Sequence, residues 1–175
     1  MNQFIKNSVL LFLAKSDFSE EEYLTIKSSL ASKRFIIFVT SDASEYCIGT
    51  SGLKVKNDVS ILNVNPNNFS ALIIIGGNGI RKYSEHLSLQ KIIQNFYSKK
   101  KVIGAICAAP LILATSGALK SHSATCFPLN KMELIKNGID FKDNGVVIDR
   151  NIVTASDSSQ SQNFINSIIM ILNSK

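Results

Sequence analysis

Four short apolar runs constrain the fold of this chain more than any other feature: residues 8–14, 35–40, 71–75 and 102–106. Each is near-continuously apolar rather than alternating, the pattern of strands in a parallel sheet covered on both faces. Helical patterns separate most of them. Residues 19–31 put Tyr23, Ile26 and Leu30 on one face, and 87–98 do the same with Leu89, Ile92, Ile93 and Phe96. Residues 160–173 align Phe164, Ile165, Ile168, Ile169 and Leu172, and a shorter helix over 110–116 stops at Gly117, a natural C-terminal cap. Alternating strands and helices predict an α/β fold with a mainly parallel central sheet. Segments 41–69 and 120–145 are less regular. They suggest turns around short strands such as 53–55 and one short helix over 130–136, while 146–148 and 152–154 read as a strand pair around a turn.

The chain has 175 residues and no internal repeat or linker, which predicts one domain. A chain of this length buries roughly 70% of its unfolded surface and needs no metal or disulfide staple. Its three cysteines, Cys47, Cys107 and Cys126, are an odd number without metal-like spacing, so free thiols in the cytoplasm are expected and no metal. Lys6 followed by the apolar run 9–14 mimics a secretory signal, but the run is too short and lacks a cleavage pattern. We read it as a core strand. No stretch is long enough to span a membrane. The formal charge is +6 with lysines scattered, apart from Lys99-Lys100-Lys101 at a predicted helix end, where cations complement the dipole. A clustered basic face with interleaved aromatics is missing, so no nucleic-acid partner is expected.

In parallel sheets, ligands sit outside the carboxyl ends of the strands. Here the first run leads to the acidic segment 17–22, the third ends in Gly76-Gly77, and the fourth ends in Cys107. Right-handed crossovers place these three ends on one rim. Around Cys107 the chain reads as a strand-to-helix elbow, with the small residues Ala105 and Ala109 two positions either side. A helix starting there would aim free N–H groups and a positive dipole end at the sulfur, favouring thiolate. A buried structural cysteine is the competing reading. Glu22 also has two readings. Ser19-x-x-Glu22 is a capping box, which by itself leaves Glu22 on the surface.

Taken together, these segments resemble the ThiJ/PfpI superfamily in its DJ-one-like branch. The resemblance runs through most of the chain: residues 11–15 with Glu20-Glu21-Glu22, residues 71–79 with the glycine pair, the elbow 104–110, and Thr125-Cys126-Phe127-Pro128. It implies a flavodoxin-like three-layer sandwich. It further implies that Cys107 is a reactive nucleophile and Glu22 its buried partner. The N–H groups of Gly77 and Ala108 would form an oxyanion site, with Gly76, Asn78, Cys126 and Phe127 lining the pocket. The implied activity is on reactive carbonyls, glyoxalase- or deglycase-like, in a homodimer and without a cofactor. A redox-responsive stress protein or chaperone, in which an oxidant takes Cys107 to sulfinate, is the alternative.

The chain departs from the family pattern in its histidines. Some members carry a histidine directly after the cysteine, where Ala108 stands here, and Phe127 occupies another expected histidine position. Only His86 and His122 exist. His86 reads as a surface residue of a short helix. His122 reads either as a surface loop residue or as one that approaches Cys107. A peptidase or amidase reading rests on that second option, since Cys activation of this kind uses an imidazole base. Cys126 is either a resolving thiol or a small core filler, and Cys47, in the irregular span, reads as an exposed thiol that nothing nearby activates. Arg81 and the hydroxyl-rich loop 154–159 each have a pocket-bordering reading and a plainer one, surface for the first and helix capping for the second.

Overall fold

The computed structural model describes residues 7–174, so Lys6 lies outside the described residues. In chain order the elements are β1 (Ser8–Phe12), β2 (Ser16–Phe18), α1 (Glu20–Ser32), β3 (Ile36–Ser41), β4 (Tyr46–Gly49), β5 (Lys54–Lys56), β6 (Val59–Ser60) and β7 (Ala71–Ile74). They continue with α2 (Leu87–Ser98), β8 (Val102–Ile106), α3 (Pro110–Thr115), β9 (Ser123–Ala124), α4 (Lys131–Lys136), β10 (Asp140–Phe141), β11 (Val146–Asp149), β12 (Ile152–Ala155) and α5 (Ser161–Asn173). The central sheet has seven strands in the order β11-β12-β8-β7-β1-β3-β6. All its pairings are parallel except β11 with β12.

The apolar runs are buried because each strand feeds two layers. On one face Leu10, Phe12, Leu72, Ile74, Ile103 and Ala105 pack with residues of α2, α3 and α4. On the other, Val9, Leu11, Ile73, Val102 and Ile106 pack with Tyr23, Ile26 and Leu30 of α1 and with Phe164, Ile165 and Ile168 of α5. Period-2 alternation thus turns a continuous apolar run into the middle of a helix–sheet–helix sandwich. This is the α/β three-layer architecture expected from the sequence. Segment 41–69 supplies β4 and β5; β4 pairs with β2 on one side and β5 on the other in a separate three-stranded sheet. No helix among the described residues is long and apolar enough to cross a membrane.

Two expectations outside the sheet need correcting. Cys47 is fully buried on β4 among α1 and sheet residues. His86 is half-buried rather than a surface residue, because it is the N-cap of α2. Its Nδ1 accepts from the Leu89 N–H at 3.3 Å, and its ring packs on Tyr83.

Candidate active site

The carboxyl ends of β1, β7, β8 and β12 meet at Cys107. The cysteine ends β8 with φ +61°, the left-handed region that a residue with a Cβ rarely adopts. Backbone bonds hold it there: its N–H donates to the Ala155 carbonyl at 2.9 Å, and its carbonyl accepts from Phe127 at 2.8 Å. Ala105 and Ala109 are fully buried on either side. The following helix begins only at Pro110 and is six residues long. The donors at the sulfur are therefore not amides of that helix: the N–H groups of Gly77, just past β7, and of Ala108, in the turn itself, both reach Cys107.

Glu22 is fully buried, and its two readings merge. Ser19 does cap α1, its hydroxyl accepting from the Glu22 N–H at 3.4 Å. The return bond of a capping box is replaced, since the Ser19 N–H donates to the Gly76 carbonyl at 3.0 Å. That frees the Glu22 carboxyl for the site. Its Oε2 accepts from the Gly76 N–H at 2.8 Å, its Oε1 accepts from the Ser158 hydroxyl at 3.0 Å, and it bonds to Cys107. Its neighbour Glu20 turns away to accept from Ser51 and Leu53.

The glycine pair makes this closeness possible. A Cβ at Gly76 would sit 2.8 Å from the Cys107 Cβ, the Glu22 Oε2 and the Ile106 carbonyl oxygen. Gly77 has φ +104°, and a Cβ there would meet the backbone of Asp17, Phe18 and Ser19.

Burial pushes the Glu22 carboxyl above its ordinary value, against hydrogen bonds from Gly76, Ser158, Ser19 and Cys107. Burial, then the Glu22 charge, push the Cys107 thiol up to about 11, against the lowering pull of the Gly77 and Ala108 amides. The thiolate expected from a helix dipole is thus opposed while Glu22 is ionised. The two groups titrate as a pair: a proton on Glu22 removes the charge that adds to burial in raising the thiol.

The other expected pocket residues lie around this core. Cys126 is buried, and burial, then Cys107 and Glu133, push its thiol up to about 12. Phe127 is half-buried and bonded to the elbow through its N–H. Asn78 is exposed where the 3-10 turn Gly79–Tyr83 begins, outside the hydrogen bonds around Cys107 and Glu22. Arg81 is exposed beside a cavity of about 130 Å³ that Ala108 also borders. Among the described residues, no group of three or more His, Cys, Asp or Glu could hold a metal ion.

Ser158 was not singled out within its loop. The available signal was its position after β12, the strand beside β8, which sets that loop over the same rim. His122 fits neither of its two readings. It is 3% exposed, with Nε2 3.3 Å from the Tyr97 oxygen and Nδ1 3.2 Å from Asp149 Oδ1, so it is neither a surface residue nor a partner of Cys107.

A three-layer α/β sandwich with a cysteine on a strained strand end, a buried carboxyl against it and two amides aimed at its sulfur defines a class of cysteine-elbow proteins. The model of the DJ-1/PfpI family matches residues 7–171, and the chain belongs to that family. It is 35% identical over 164 residues to the uncharacterized protein MJ0967 of Methanocaldococcus jannaschii, covering 91% of this chain and 80% of that one. It is 28% identical over 146 residues to Deglycase PH1704 of Pyrococcus horikoshii, covering 83% and 88%. The fold matches the crystal structure of a ThiJ/PfpI domain protein from Brachyspira murdochii with a TM-score of 0.94 at 24% identity, over 97% of this chain and 98% of that one.

Proposed function

We propose that the protein is a cysteine-dependent enzyme acting on reactive carbonyl compounds, in the manner of a glutathione-independent glyoxalase or deglycase. One observation carries the reading: a half-exposed cysteine on a left-handed turn shares its surroundings with a buried carboxyl and two backbone N–H donors. The relative named as a deglycase supports it. In this reading the Cys107 thiolate attacks the aldehyde carbon of methylglyoxal. A C–S bond forms and the carbonyl π pair moves to oxygen. The Gly77 and Ala108 N–H groups stabilise that oxyanion, and protonated Glu22 gives it a proton, leaving a hemithioacetal.

Glu22 then carries the C–H proton of that carbon to the neighbouring carbon, while the hydroxyl proton passes to the neighbouring oxygen. The product is a thioester of lactate. Water cleaves it, releasing lactic acid and restoring the Cys107–Glu22 pair with its one proton. The balance is methylglyoxal plus water to lactic acid, with no cofactor.

The test is lactate formation from methylglyoxal without glutathione. Wild type turns over and Cys107→Ala falls to background; wild type that is no faster than Cys107→Ala overturns the reading. A peptidase reading is disfavoured because His122 faces Tyr97 and Asp149. The same reading includes a homodimer, checked by sedimentation velocity, and a cytoplasmic setting, which the three free cysteines suit.

A further inference from the structure

The cavity of about 130 Å³ beside the elbow joins three elements, and Cys107 is outside its lining. Its floor is apolar. Ala108, in the turn before α3, and Leu111 and Ile112 of α3 share one face at i, i+3, i+4 spacing. One wall is the 3-10 turn Gly79–Tyr83 with its C-cap, Ser84. Arg81 and Ser84 stand three positions apart, and a 3-10 turn eclipses side chains at that spacing. A second wall is the start of α4, where Asn130 and Glu133 are again three apart on one face.

Asn130 is the unusual member. It holds the N-cap position of α4 but does not cap, because its φ −96° and ψ −5° are helical and its side chain makes no cap hydrogen bond. It is 3% exposed, and its Oδ1 is buried without a partner among the described residues. A buried carbonyl oxygen with no donor is rare in a folded protein, and an N–H of a ligand in the cavity supplies one.

The charged groups are also unpaired. Arg81 and Glu133 are both exposed, and among the described residues neither enters an ion pair. A cation and an anion that border one small cavity on different walls, without pairing, match a ligand that carries both opposite charges.

We propose that this cavity binds a small free α-amino acid, at a site separate from Cys107. Arg81 and the Ser84 hydroxyl take the carboxylate, since the guanidinium fork matches its two oxygens. Glu133 and Asn130 Oδ1 take the ammonium, whose three donors suffice for both. The floor of Ala108, Leu111 and Ile112 takes a short apolar side chain such as a methyl group.

Calorimetric titration of the full-length protein with L-alanine, propionate and alaninamide tests this. Propionate lacks the ammonium, and alaninamide lacks the carboxylate. Saturable binding of L-alanine is expected, at least tenfold tighter than either half-charged analogue. Arg81→Gln and Glu133→Gln change exposed side chains, so the fold is retained; each weakens L-alanine binding about tenfold. Asn130→Ala weakens it as well, and Cys107→Ser leaves it unchanged. Failure of L-alanine to saturate, or unchanged affinity in Arg81→Gln, Glu133→Gln or Asn130→Ala, overturns the site. Loss in Cys107→Ser overturns its separation from the elbow sulfur, and equal affinity for all three ligands overturns the amino-acid assignment.

Discussion

Glu22 and Gly76, 54 positions apart, are joined by a 2.8 Å hydrogen bond from the glycine N–H to Oε2. Together with the bond from the Ser19 N–H to the Gly76 carbonyl, it ties the start of α1 to the end of β7. The carboxyl is therefore part of the rim that holds Cys107, and its charge state acts on the sulfur and on the fold.

Glu22→Gln separates those roles. Removing the charge lowers the Cys107 thiol from about 11, so alkylation by iodoacetamide at neutral pH speeds up. Lactate formation falls even so, because the proton carrier is gone. A thiol whose pH profile of alkylation is unchanged in the variant would show that Glu22 does not act on Cys107.

The same group sets a pH dependence of stability. Its folded pKa is raised, so the folded state binds the proton more tightly than the unfolded state. Its stabilisation is complete below the ordinary glutamate range and is lost as pH rises through the elevated value. Urea midpoints measured across that window decline in wild type and stay flatter in Glu22→Gln; parallel curves count against the buried, raised carboxyl.

Gly76→Ala forces a Cβ to 2.8 Å from both Cys107 and Glu22. Overpacking of this kind costs about 1–3 kcal/mol. Urea unfolding should show a loss in that range, and the surviving folded protein should lose turnover because the nucleophile and the carboxyl are pushed apart.

Ser158→Ala removes the hydroxyl that donates to Glu22 Oε1 at 3.0 Å. This bond lowers the carboxyl pKa, so the variant raises it further and widens the pH range over which Glu22 is neutral. The stability cost is about 1 kcal/mol. The alkylation profile of Cys107 should shift relative to wild type; an identical profile would mean that the hydroxyl does not tune the pair.

Mild peroxide should oxidise Cys107 before Cys47 and Cys126, which are 0% and 1% exposed. Peptide mass spectrometry should find oxygen added at Cys107 alone. Equal oxidation at all three thiols, or a disulfide joining Cys107 to Cys126, would contradict the burial of the other two.

The parallel strands were legible because burial on both faces leaves near-continuous apolar runs, and β8 begins and ends where its run does. The elbow was legible from its small neighbours, and the glycine pair from its place at a strand end. Glu22 was ambiguous in sequence because the cap and the buried partner share one residue, and only the rerouted Ser19 bond resolves it. His122 was illegible. Its burial depends on Tyr97 and Asp149, each more than twenty positions away, and two flanking serines give a loop-like local signal. Cys47 was misread for a similar reason, since β4 is buried by packing that its irregular surroundings do not announce.

The turn at position 107 is held by main-chain bonds to Ala155 and Phe127, and none of them uses the sulfur. The mount and the reagent are therefore separable. A serine or selenocysteine placed there would inherit the same angle of attack, so exchanging that one atom changes the chemistry while the surrounding architecture stays as it is.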